Sequence, residues 1–492
     1  MGDSEAKRRP LKGPEDEVLA AYLSRHDAGF CKLAELREKG WNDPRVDDHY
    51  RMQQERADFA DERRQKWFFT MMQELGAELH EATGAFTPIS WSSGNQRVGG
   101  LFLRQENASV VKPSPIQDLQ QNMASLSVLD TEQLKENEDL GRLKGSATAF
   151  RSAASNSSAT QPNTQDLNNV SERNRMTSTT RNMSTLLNRD MQVLDLCMAP
   201  GGFAAAVLKQ NPRAQVAGIS LPLEDGGHKL RVLFGIRDSR VKVMFRDITM
   251  LTEEFGINGI PADHPDSDKF LNIRPYHGRT FDLVFCDGQV LRTHKRASYR
   301  ESKEAIRLTC AQLILGLGRI KPGGNLVMLL HKVDDWNSAQ ILYTFSQFSR
   351  ITLFKSSRKH KDRGAFYMIA SNVQPGHPKA AAAVKEWQRV WRDATFGDKT
   401  TGLLADSSAE ESAQTKPAFP LQREVTVHQL IEMFGETLID HGRPIWKIQA
   451  KALANASFMR DATDGTRKGR PRESLIDQKC NEHEESSGKS TY

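Results

Sequence analysis

From residue 189 to residue 373, short apolar runs alternate with longer amphipathic stretches, the rhythm of strands followed by helices in an α/β sheet. Met191 to Leu196 (MQVLDL) reads as the first strand. The turn Pro200-Gly201-Gly202 stops it, and Phe203 to Lys209 (FAAAVLK) continues as an alanine-rich helix. Gln215 to Ser220, Val241 to Phe245 and Phe281 to Cys286 are the next strands. Arg300 to Ile320 carries Ile306, Leu313, Leu317 and Ile320 at helical spacing and is closed by Lys321-Pro322-Gly323-Gly324. Asn325 to Lys332 is a fifth strand, Ser338 to Phe348 a helix, and Ile351 to Phe354 and Ala365 to Ala370 are strands only a basic turn apart, so they pair as an antiparallel hairpin. The fold class is therefore α/β, with a mostly parallel seven-stranded sheet and an antiparallel last strand.

The flanks read differently. Residues 1–90 form a helical N-terminal region: Val18, Leu19, Tyr22 and Leu23 share a face, Phe30, Leu33 and Leu36 repeat the pattern, and Gly40 ends that segment. Lys66 to Leu75 follows as the amphipathic end of a long helix that packs Trp67, Phe68, Met71 and Leu75 on a core. Residues 106–188 turn to Ser, Asn, Thr and Gln with few aromatics. Such a stretch buries too little apolar surface to offset the entropy of ordering, so it is expected to be a disordered insertion, with a transient helix at Thr131 to Leu143. After the sheet come an amphipathic helix in 374–397, a linker in 398–424, a helical element in 425–460 broken at Gly442-Arg443-Pro444, and a disordered charged tail in 461–492.

Composition narrows the function classes. Only 38% of the 492 residues are hydrophobic and mean hydropathy is -0.58, so part of the chain lies outside folded units. A formal charge of +6 permits a polyanionic partner. The five cysteines are scattered, with no C-x-x-C pair, which disfavours structural zinc and a disulfide framework. The N-terminus lacks an apolar leader core and no run is long enough to span a bilayer, so an intracellular protein of nucleus or cytoplasm is expected, with no membrane partner.

The candidate chemistry centres on the turn after the first strand. A glycine turn opening a helix offers close main-chain approach and unpaired N–H groups, the means to hold a nucleotide-like ligand. Neither G-x-x-x-x-G-K-[ST] nor G-x-G-x-x-G is present, which disfavours a triphosphate or a dinucleotide. Asp195-Leu196-Cys197-Met198-Ala199-Pro200-Gly201-Gly202-Phe203 resembles the D-L-x-x-A-P-G-G-[FW] motif of the FtsJ family. That resemblance implies a Rossmann-like methyltransferase fold and S-adenosylmethionine-dependent ribose 2′-O-methylation of RNA. It implies that Asp195, Ala199, Pro200, Gly201, Gly202 and Phe203 bind the cofactor's amino-acid end. Ser220 stands where an acid usually takes the ribose hydroxyls. Asp247 fits the acid that accepts from the adenine amino group, and it is equally a helix N-cap.

The family carries a Lys-Asp-Lys-Glu tetrad at the reacting methyl. Asp287 matches its aspartate. Lys332 is the candidate base, three residues beyond Leu329, where the second lysine is expected, and on the opposite parity of the strand; a solvent-facing lysine at a strand end is its other reading. The position of the glutamate holds Ala365, and Lys66 beside Trp67-Phe68-Phe69 is the candidate first lysine. With these departures a pseudoenzyme that binds RNA or a protein without turnover is the rival, and a nicotinamide enzyme a weaker one.

Two basic loops are candidate phosphate contacts for an RNA partner: Lys355, Arg358, Lys359, Lys361 and Arg363 between the last strands, and Arg292, Lys295 and Arg296 after the Asp287 strand. A solvated face is their other reading. Arg467-Lys468-Gly469-Arg470-Pro471-Arg472 resembles a minor-groove hook or a nuclear address.

Overall fold

A computed structural model describes residues 13–41, 43, 46, 51–52, 61–87, 190–397, 421 and 425–456. The expected insertion at 106–188, the tail at 461–492 with its basic motif, and the 398–424 linker apart from Leu421 lie outside the described residues.

Seven strands form one sheet: β1 Gln192–Leu196, β2 Gln215–Ser220, β3 Val241–Phe245, β4 Phe281–Cys286, β5 Ile320–Leu330, β6 Arg350–Phe354 and β7 Phe366–Val373. Their order is β3-β2-β1-β4-β5-β7-β6. Neighbours from β3 to β5 pair in parallel, and β7 runs antiparallel to both β5 and β6. This is the Rossmann-like methyltransferase arrangement, with one reversed strand. Helices cover both faces, so the strands are apolar on both sides, and alternation decides which side chain meets which helix. Val193, Leu283, Phe285, Val327, Tyr367 and Ile369 share one core with α3 (Glu62–Thr83) and α4 (Gly202–Gln210). Leu194, Leu196, Val284, Cys286, Leu326 and Met368 belong to the other. That second core is completed by α5 (Glu304–Arg319), α6 (Trp336–Ser346) and α7 (Pro378–Phe396), and also by α1 (Pro14–His26) and α2 (Ala28–Trp41) packed on α8 (Val427–Ala454).

The N-terminal segment is thus part of the fold. Asp61 caps α3 by accepting from Arg64 N–H, and Gly84 ends it in the left-handed region. Gly76 lets α3 settle on α4, since a Cβ there would lie 2.9 Å from Ala206 Cβ. Asn211 and Asn325 donate to the carbonyls of Phe86 and Ala85, which ties the end of the segment to α4 and β5.

Four expectations are corrected. Trp67 is on the exposed side of α3 and Met72 takes a place in the core, because the buried stripe runs Phe68, Met71, Met72, Leu75, Leu79. The Pro322-Gly323-Gly324 turn does not close the long helix but lies inside β5, where the pairing with β4 shifts register. β5 also stops at Leu330, before Lys332. Finally, α8 passes unbroken through Gly442-Arg443-Pro444. An internal proline costs about 3 kcal/mol, which is offset by a buried stripe that continues on both sides of it, Leu438 and Ile439 before, Ile445 and Trp446 after. Gly442 is where the Trp446 ring lies, 2.4 Å from where a Cβ would be. No helix among the described residues is long and apolar enough to cross a membrane.

Candidate active site

The central strands β1 and β4 lie side by side, and each ends in an acid on the α3 and α4 side of the sheet. Asp195 has the parity of Val193, and Asp287, one residue past β4, that of Leu283 and Phe285. Both line a cavity at the carboxyl ends of the strands, where open α/β sheets bind ligands. Asp195 is only 3% exposed and is held by the Ala204 N–H in the first turn of α4. Burial, reinforced by the neighbouring Asp287, pushes its carboxyl well above the usual carboxylate range. Burial also raises Asp287, to about 7, and a hydrogen bond from the Tyr367 hydroxyl partly opposes that rise. Gln312 of α5 grips the chain just beyond, accepting from Gly288 N–H at 2.7 Å and donating to its carbonyl at 3.2 Å.

The turn between β1 and α4 forms the cavity floor with Met198, Ala199, Pro200, Gly202 and Phe203. Its glycines answer to protein neighbours as much as to a ligand. A Cβ on Gly202 would lie 2.3 Å from Met72 Cβ of α3, and one on Gly201, whose φ is 91°, 2.4 Å from Val232 Cγ1. Gly201 itself is not in the lining. Phe68 and Met72 add an apolar wall from α3. Ser220, at the end of β2, lines the cavity too, and its hydroxyl accepts from Ala199 N–H at 3.4 Å.

At the far end Asp247 is the N-cap that the sequence allowed, and its carboxyl also stands in the cavity wall. It caps a short 3₁₀ turn, Ile248–Met250, through Thr249 N–H and the Thr249 hydroxyl, and it lines the cavity. Its second oxygen meets Arg300 at 2.8 Å and His294 at 3.4 Å. Burial raises its carboxyl, but His294 and Arg300 outweigh that and hold it below the usual range. Asp247, His294 and Glu304 bring three donor atoms within 4.8 Å of one another. The Arg300 guanidinium lies 2.8 Å from Asp247 and 2.6 Å from Glu304, so an arginine supplies the balancing charge.

The two candidate lysines are not brought here. Lys66 is exposed on α3, off the line through Phe68 and Met72 that faces the cavity. Lys332 follows the end of β5 on the opposite parity and lies against Gly364, where a Cβ would be 2.8 Å from Lys332 Cγ. Leu329, by contrast, is the register partner of Tyr367. Tyr367 is among the site residues that sequence reasoning missed, with Phe68, Met72, Gln312, Arg300 and Glu304, and for Tyr367 strand parity was the available signal.

The basic loops divide. Lys355 was expected on an exposed face but is buried, its ammonium donating to the carbonyls of His360, Arg363 and Ala365 at 3.2, 2.6 and 2.7 Å. Arg358 is exposed and 3.5 Å from Glu78, and Lys359 is 2.8 Å from Glu74. Lys361 and Arg363 are half-buried in the same loop. In the other loop Arg296 folds back onto the carbonyls of Leu291 and His294 and onto Glu301, whereas Arg292 and Lys295 face solvent.

Among solved structures the chain is similar to an O-methyltransferase family protein from Burkholderia thailandensis, at 14% identity over 42% of this chain and 59% of that one, with a TM-score of 0.23. It is similar also to an rRNA methylase from Streptococcus thermophilus, at 11% identity over 38% and 88% with a TM-score of 0.23. Human methyltransferase-like protein 13 in complex with SAH gives 12% identity over 42% and 85%, again with a TM-score of 0.23. Likenesses of this size do not bear on what the chain does. Comparison with curated proteins finds no match. Every residue lining the cavity except Phe68 and Met72 falls within 176–373, and that stretch is the one that matches the FtsJ-like methyltransferase family.

Proposed function

We propose that the chain transfers a methyl group from S-adenosylmethionine to RNA, at a ribose 2′-oxygen. The single observation that carries this reading is the pair of acids, Asp195 buried and Asp287 half-buried, on adjacent strand ends within one cavity. The cavity has acceptors at both ends, Asp195 near the turn and Asp247 beyond it, with apolar walls from Phe68, Met72, Ile248 and Leu308. That pattern fits a ligand with an ammonium at one end and an adenine amino group at the other. The FtsJ-like match over 176–373 supports the same reading.

The cofactor supplies an activated methyl on a sulfonium. Asp195 would receive the cationic amino-acid end, where its burial makes a positive partner favourable. Asp247, held anionic by His294 and Arg300, would accept at the adenine end. Asp287 would take the proton from the acceptor hydroxyl. Its carboxyl, raised to about 7, is matched to that task near neutrality, and Tyr367 fixes its orientation. Positioning of acceptor and methyl in line supplies much of the remaining acceleration.

One observation favours a second reading, a catalytically impaired relative that binds RNA or a protein partner. Leu329 and Ala365 hold the two positions where the family's second lysine and its glutamate are expected. Calorimetry with S-adenosylmethionine and tritiated methyl transfer to total RNA, by wild type and Asp287→Ala, separate the two. Absence of binding at millimolar cofactor removes the cofactor claim, and binding without transfer selects the second reading.

A further inference from the structure

A second cavity adjoins the first at Gln289, which lines both, and at Tyr367, which lines the second while bonding Asp287 in the first. Its outer wall is the loop from Lys355 to Ala365. His360 stands in that wall with both ring nitrogens buried and unpartnered, on a backbone with φ 49°, a region a non-glycine residue enters at a cost. Buried polar atoms are nearly always satisfied, and a histidine with two orphaned nitrogens is an exception that calls for a partner.

The loop that presents this ring is built to hold still. Lys355 crosses beneath it to three carbonyls. The Ser356 hydroxyl donates to Glu78 of α3 and accepts from the N–H groups of Arg358 and Lys359. Gln449 of α8 donates to the Asp362 carbonyl and accepts from Arg37 of α2, which also pairs with Asp334. Strand, N-terminal helices and C-terminal helix therefore converge on one short loop. The charges facing His360 are mainly positive: Lys355, Lys359 and Arg363. Glu74 and Glu78 are engaged with Lys359 and Arg358, and Asp362 faces Lys355.

We propose that this second cavity is the acceptor subsite and that it binds a phosphodiester of the RNA strand, the His360 ring in its wall turning a nitrogen out on binding to donate to a phosphate oxygen while the adjacent ribose faces Asp287 and Tyr367. The inference rests on the reading under Proposed function and adds to it the group that is recognised and where. Burial and the nearby cations hold the free imidazole down to about 3, hence neutral, and an anion beside the ring reverses that balance and favours the form in which both nitrogens donate. Gln289 and Tyr367 then stand between a phosphate on one side and the methyl donor on the other.

The test uses the full chain and a fluorescent single-stranded ribo-octanucleotide of mixed sequence. Anisotropy should show His360→Asn binding it roughly tenfold or more weakly than wild type, the size of one charged hydrogen bond, with cofactor affinity by calorimetry unchanged. Hydrogen–deuterium exchange of the wild-type chain, which needs no variant, should show protection of residues 355–365 by the oligonucleotide and none by S-adenosylmethionine. Equal affinity in His360→Asn, no protection of that loop, or equally tight His360-dependent binding of poly-glutamate overturns the phosphate site. Methyl transfer with an unchanged KM in His360→Asn overturns this inference and leaves the proposed reaction standing. Loss of cofactor binding in wild type does the reverse, since the anisotropy series reads without it.

Discussion

The Tyr367 hydroxyl donates to Oδ1 of Asp287 at 3.1 Å, joining β7 to the end of β4 across the intervening β5. Asp287 is thereby oriented from two strands away, on the same face of the sheet. Its carboxyl lies near 7, where a small change in surroundings moves it between charged and neutral at physiological pH.

If Asp287 acts as the base, methyl transfer needs its ionised form. The rate should fall on the acid side with a midpoint near pH 7, and kcat/KM measured from about pH 5 to 9 reads it directly. Tyr367→Phe removes the hydrogen bond that favours the carboxylate, so its acid limb should move to higher pH. A limb that stays in place in Tyr367→Phe would show that the pair is not coupled to the reaction.

The same burial costs stability. The folded carboxyl titrates near 7 and the unfolded one near its ordinary value of 3.8, so the native state binds more protons between them. Stability therefore falls as pH rises through that window and levels off above it. Asp287→Asn, which keeps an acceptor for Tyr367, should be more stable than wild type by up to roughly 4 kcal/mol at pH 8 and by little near pH 4. Denaturant midpoints at the two pH values check this, and a pH-independent difference would refute it.

Gly202→Ala places a methyl where the Met72 Cβ of α3 already lies. Overpacking at a backbone-close site costs roughly 1 to 3 kcal/mol. Thermal unfolding should show the loss, and cofactor affinity should weaken with it as α3 is pushed off the turn. A variant with unchanged melting would mean that α3 does not rest on this turn.

Arg300 lies between Asp247 and Glu304, all three largely shielded from water. Arg300→Leu removes the partner shared by two carboxylates, leaving Glu304 to Arg307 and Asp247 to His294 and Thr249, and should cost at most roughly 3 to 5 kcal/mol at neutral pH. Asp247 is held below its ordinary value, so its share is present above about 3.8 and fades as pH falls through the lower folded value. The gap between variant and wild type should therefore narrow in acid, as unfolding at pH 7 and pH 3 would reveal.

The sheet was legible because strands covered on both faces read as apolar runs, and their ends located Asp195, Asp247 and Asp287. Tyr367 was not, since an aromatic inside such a run reads as core, and its bond depends on a strand two places away. Lys355 sits in a charge run that looks solvated, and only the fold reveals three carbonyls converging on its ammonium. Local breaker chemistry at Gly442 and Pro444 predicted a gap in α8, and tertiary packing of Trp446 overrode it. Lys332 was a matter of parity: counting from Leu329 put it on the wrong side, and the strand's early end does not carry it back.

The family match begins at residue 176, whereas α3 begins at Glu62. A fragment cut at the family boundary would leave Gly202 and Gly76's partners Phe203 and Ala206 open to water and would strip Phe68 and Met72 from the ligand's roof. Residues 62–87 belong to the fold matched by the family in all but chain position, and any gene rearrangement or expression boundary that separates them divides one packed unit.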